Sequence, residues 1–151
     1  MQKALIAPVL AIALATTATS FAATTEEAIE YRQSTMVMVK WNFKPMAGMV
    51  KGKIPFDSAL FAQRADALAT VVSLDLLAAF PKGSTDEFDS SAKEKIWDNW
   101  ADFKKKFEKL RSESAKLARV AATGDEAAMK KQFAATAKSC KGCHKEYRSK
   151  K

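Results

Sequence analysis

The sequence predicts an all-α fold, an antiparallel up-down-up-down four-helix bundle, on three observations. Four long segments carry apolar residues at alternating steps of three and four, the spacing of a helix stripe that faces a core. Most connections between them are short and marked by Gly, Pro or Asp, which makes consecutive helices antiparallel neighbours. The last segment ends in Cys140-Lys141-Gly142-Cys143-His144, two thiols and an imidazole that helical spacing puts on one side. No strand alternation, repeat or low-complexity run competes with this reading.

The first 22 residues read as an address. Lys3 gives a positive start, Ala4 to Ala15 an apolar run interrupted only by Pro8, and Ser20-Phe21-Ala22 a small-x-small cleavage site. Cleavage after Ala22 leaves 129 of the 151 residues, 23–151, as one domain able to bury a real core. No other stretch is long and apolar enough to cross a bilayer, so the expectation is an exported protein of the bacterial periplasm with no membrane association after cleavage. The formal charge of +8 becomes +7 once Lys3 is removed. Its lysines are spread over helix exteriors, with Lys104-Lys105-Lys106 the densest run, so the balance reads as a solvated surface and no nucleic acid is expected.

Helix one runs from about Thr25 to Lys51 behind a Thr cap, with Glu26 and Glu27 suiting the helix dipole. Its stripe is Ile29, Arg32, Met36, Val39, Phe43, Met46 and Val50, and Pro45 is expected to bend it. Asp57 caps helix two, which carries Phe61, Ala65, Leu68, Val72, Leu76 and Ala79 inward and ends at Phe80-Pro81-Lys82-Gly83. Ser84 to Ser91 reads as the one long surface loop. Helix three, expected to be the longest, begins near Ala92 with the stripe Ile96, Trp100, Phe103, Phe107, Leu110, Ser114, Leu117 and Ala121. Gly124-Asp125 is a stop and a start. Helix four presents Met129, Phe133, Thr136, Cys140, Cys143 and Tyr147 on one face.

Two cysteines three apart followed by histidine are what covalent attachment of c-type haem needs: each thiol adds to one vinyl group and the imidazole meets the iron. A zinc site would want a second ligand pair, and the chain has only these two cysteines and this one histidine. A thioredoxin-like pair would want βαβ context, and a plain disulfide would leave His144 without a role. With no second imidazole, the other axial position falls to methionine, water, an exogenous ligand or nothing. Arg32 is costly in an apolar stripe unless it meets an anion, for which a haem propionate is at hand, or snorkels to the bundle end. Met36, one turn on, either faces the haem from the side opposite His144 or fills core space. Arg148, at His144 plus four, is placed to shield or polarise the imidazole, or to favour the helix C-terminus.

Together, the near-C-terminal haem motif with Tyr147-Arg148 after it, Tyr31-Arg32-Gln33-Ser34, Val50-Lys51-Gly52 through Pro55-Phe56-Asp57, and Ile96-Trp97 resemble the cytochromes c prime, the class II c-type cytochromes, over essentially the whole mature chain. The resemblance implies a four-helix bundle, commonly a homodimer, with one covalent haem c per chain. It implies Cys140 and Cys143 as thioether links, His144 as proximal ligand, Arg148 beside it, Arg32 as propionate partner and Met36 over the distal face. It also implies a crowded, five-coordinate, high-spin iron that binds nitric oxide and carbon monoxide. Low-spin relatives use a methionine of helix one as sixth ligand, and Met36 falls at that position.

Two functions stand side by side: capture of small gaseous ligands, and transfer of single electrons with a periplasmic redox partner. No nucleophile and base constellation points to an enzyme. Met38 and Trp41 on helix one, with Leu60, Ala67, Val71 and Leu74 on helix two, lie off the inner stripes. They either widen the bundle stripe or form the interface of a homodimer through helices one and two.

Overall fold

The computed structural model describes residues 23–85 and 90–150; the expected address segment lies outside them. Five α-helices follow one another, α1 (Thr25–Val50), α2 (Ser58–Ser73), α3 (Lys95–Asp98), α4 (Trp100–Ala121) and α5 (Glu126–Tyr147), with a 3-10 turn at Leu76–Ala79. The four long ones form the bundle, α1 packing on α2, α2 on α4 and α4 on α5. No strand occurs among the described residues; a single antiparallel bridge joins Ala92 and Arg148. No described helix is long and apolar enough to cross a membrane.

Local chemistry sets the helix ends. Thr24 and Glu27 form a reciprocal capping box, the Thr24 hydroxyl accepting from the Glu27 amide at 3.2 Å and the Glu27 carboxylate from the Thr24 amide at 2.7 Å. Pro45 lies inside α1, which continues through it to Val50. Gly52 then turns the chain at φ 65°. Asp57 and Asp125 cap α2 and α5 through the amides of Leu60 and Ala128.

The main core gathers Met46 and Met49 of α1, Phe61, Ala65, Leu68 and Val72 of α2, Leu110, Leu117 and Ala121 of α4, and Met129 and Phe133 of α5. Phe133 lies 4.5 Å from Phe43 and 6.1 Å from Phe61, centroid to centroid, so the aromatic contacts join α1, α2 and α5.

Three expectations are corrected. Helix two stops at Ser73, before Leu76 and Ala79, because the Arg111 guanidinium donates to the carbonyls of Val72, Ser73 and Leu74 at 3.2, 3.0 and 2.8 Å and satisfies the helix end there. Leu76 and Ala79 are still buried, but from the 3-10 turn, against Ala28 and Phe107. Helix three is divided at Asn99, whose side-chain amide donates to Lys95 O at 3.3 Å, a local bond that competes with helix continuation. The 22 residues of α4 are therefore fewer than the 26 of α1, which is the longest helix. Finally, the segment expected on the surface is buried at both ends: Ser84, Thr85 and Ser90 are enclosed because Arg32 draws two of their hydroxyls inward.

Arg111→Ala should lower stability by about 1–2 kcal/mol, the scale of charge-assisted hydrogen bonds at a partly exposed site. A drop in the urea midpoint at constant slope checks this.

Candidate haem site

Both cysteines and the histidine stand on the last turns of α5. The Cys140 side chain packs against the main core, and Cys143 against a second cluster of Ile96, Phe103 and Tyr147. Between α5 and α1 opens a cavity of about 640 Å³, within the ~300–1,000 Å³ range of cofactor sites. Its α1 wall is Arg32, Met36, Val39 and Phe43, its α4 wall Phe103, Phe107 and Leu110, and its α5 wall Cys140, Cys143, His144, Tyr147 and Arg148. Leu76, Phe80 and the segment Ser90–Ala92 complete it. All six residues singled out from the sequence thus line one cavity. Four cations line it, Arg32, Lys40, Lys106 and Arg148, and no carboxylate among the described residues.

The electrostatics suit a bonded cofactor. Burial pushes the Cys143 thiol up to about 11 and raises Cys140 as well, so both sulfurs are protonated thiols at neutral pH. Burial first, and the charge of Arg148 second, hold His144 below its usual value, which keeps the imidazole in the neutral form that ligates metals. Among the described residues no three His, Cys, Asp or Glu side chains cluster as an ion site. Two sulfurs and one imidazole on an apolar cavity fit a flat cofactor bonded twice to the protein.

Arg32 differs from the simplest expectation. Only 4% exposed, it donates to Ala79 O at 3.1 Å, to the hydroxyls of Ser84 and Ser90 at 2.6 Å each, and to Ser84 O. Its guanidinium also lies 4.6 Å from the Phe80 ring centre. Burial brings it down to about 10, so it stays charged at neutral pH. These partners are neutral oxygens, where the sequence offered a propionate or a snorkel to the bundle end, and the burial of Arg32 excludes the snorkel. Met36 is half buried on the same wall, packed with Leu76 and Phe107.

Sequence reasoning missed two further arrangements. The Tyr147 hydroxyl donates to Asp102 at 2.5 Å, which holds the Asp102 carboxyl below the usual range, and Lys106 pairs with Asp102 at 3.5 Å. This ties the end of α5 to α4. Ser90, Ser91 and Ala92 line the cavity, and Ser91 and Ala92 meet Arg148, an association that no periodicity signals.

Residues 27–148 match the cytochrome C' family. The chain belongs to that family. It is 37% identical over 129 residues to cytochrome c' of Halomonas halodenitrificans, covering 82% of this chain and 97% of that one. Among solved structures it is similar to cytochrome c prime from Shewanella frigidimarina, with a TM-score of 0.80, 41% identity and coverage of 84% and 98% of the two chains. It is also similar to a variant of cytochrome c prime from Alcaligenes xylosoxidans solved as its nitric oxide complex, with a TM-score of 0.76, 34% identity and coverage of 85% and 98%. Cytochromes c' carry haem c covalently, and the thiol pair of this chain fits that attachment.

Haem in the holoprotein should stay with the polypeptide through acid and organic extraction. Replacing both Cys140 and Cys143 with Ala should release it, as read from the intact mass and the pyridine haemochrome spectrum.

Proposed function

We propose that this is a periplasmic haem protein that captures nitric oxide, and also binds carbon monoxide, at a five-coordinate, high-spin iron. The observation that carries the reading is the apolar part of the α1 wall: Met36, Val39 and Phe43 line the cavity that His144 lines from α5. Haem bound here would supply an iron able to take up a small ligand. His144 would hold the iron, and Cys140 and Cys143 would carry the thioether links. Arg32 stands where it can meet a propionate in addition to its serine partners, and burial first, with the charge of Arg148 second, favours the neutral imidazole. An apolar distal wall without a histidine favours small neutral ligands and gives bound dioxygen no imidazole donor.

The alternative is a six-coordinate, low-spin electron carrier working with a periplasmic redox partner. Its support is that Met36, a thioether, lines the same cavity as His144. Replacing Met36 with Ala separates the two. On the gas-binding reading the ferric iron stays high-spin, and carbon monoxide binds faster once the steric cover is gone. A low-spin wild type whose sulfur-to-iron charge-transfer band disappears in Met36→Ala establishes the electron carrier instead.

The protein is further proposed to be a homodimer through α1 and α2. Trp41 is 69% exposed, and Met38 and Leu74 are exposed as well, with Leu60, Ala67 and Val71 half exposed. Trp41→Glu should turn a dimer into a monomer in sedimentation velocity; a wild type already monomeric refutes the interface.

A further inference from the structure

The chain leaves α5 at Arg148 in an extended conformation, φ −114° and ψ 129°, and pairs there with the segment leading into α3. Lys93 N donates to Tyr147 O at 3.0 Å, and Ser149 N to Ser91 O at 2.8 Å. The Arg148 Nε donates to the Ser91 hydroxyl at 3.3 Å, and the Ser149 hydroxyl to Ser91 O at 3.2 Å. One residue earlier, the Ser90 hydroxyl accepts from Arg32 at 2.6 Å and from the Ala92 amide at 3.1 Å. Two adjacent serines, joined by the peptide bond between them, therefore hydrogen-bond on one side to the buried guanidinium in the α1 wall and on the other to the arginine that follows His144 by four residues.

We propose that Ser90 and Ser91 are positioning residues for the iron site: they fix Arg148 beside His144 and tie its place to Arg32 across the cavity. The proposal rests on His144 as the proximal ligand. The reason is geometric. Arg148 lies beyond the helix, so helical spacing no longer sets its side chain, and the bridge to Ala92 with the Ser91 hydroxyl takes over that task. A cation held near an axial imidazole withdraws electron density from it and favours the reduced iron, so its placement bears on both the iron-histidine bond and the potential.

The ferrous holoprotein tests this by resonance Raman spectroscopy and potentiometry. Ser91→Ala should move the iron-histidine stretching band upward and lower the reduction potential, while Ser91→Thr, which keeps the hydroxyl, should stay near wild type. Lys93→Ala, which removes a side-chain bond to Glu146 O but leaves Ser91 in place, should move neither. Ser90→Ala combined with Arg148→Gln should shift the potential by less than the sum of the single changes. An unmoved band and potential in Ser91→Ala, equal shifts in Lys93→Ala, or additivity in the double variant would overturn the positioning role. A wild type with no iron-histidine band would instead sink the five-coordinate reading, and an unmoved potential in Ser91→Ala would then overturn the positioning role by itself.

Discussion

Keeping α1 and α5 apart at one end of the bundle is the constraint on which everything else depends. A four-helix bundle packed throughout would close that gap with side chains, as it does where Phe43 stacks on Phe133. The cavity beyond that stack survives because the groups around it are braced from outside the helix pairs. Phe80 and Leu76 come from a 3-10 turn, and Ser90–Ala92 from an irregular segment, so the walls are held without α1 having to touch α5. Trp97 Nε1 donating to Phe80 O at 3.1 Å fastens that turn to α3.

Arg32 is the centre of the brace. A cation sealed from water is expensive unless its donors are satisfied. Here the acceptors, Ala79, Ser84 and Ser90, lie far along the chain, and the Phe80 ring lies over the charge. The interaction thereby holds Ser84 and Ser90, polar residues that bring little apolar surface of their own. Tyr147 and Asp102 act similarly at the other side, joining α5 to α4 beside Cys143.

Much of this was legible in the sequence because the governing signal was periodic. The stripes of α1, α4 and α5 predicted the buried faces, and the spacing of Cys140, Cys143 and His144 predicted their common cavity. What was not legible came from contacts between distant residues. Nothing local in Leu74 or Asp75 announces that Arg111, 37 residues on, ends α2 at the preceding serine. Ser84 and Ser90 sit in a stretch whose composition reads as solvated, and only the buried guanidinium reverses that. Arg32 was singled out correctly as an anomaly, but its hydroxyl and carbonyl partners follow from the fold and not from the stripe.

The charge around the cavity has a kinetic meaning. Arg32, Lys40, Lys106 and Arg148 line it without an opposing carboxylate among the lining residues, Lys106 being offset by Asp102 just outside. Such a cleft presents a positive potential that reaches outward by about one Debye length, ~8 Å at physiological ionic strength. Uncharged diatomic gases cross that field without feeling it, so their arrival is governed by the width of the opening and the apolar wall behind it. The two propionates of an incoming haem are drawn in on approach, salt weakens that pull, and once seated they would offset part of the field. Without its cofactor, the opening thus sorts its visitors by charge before any contact is made.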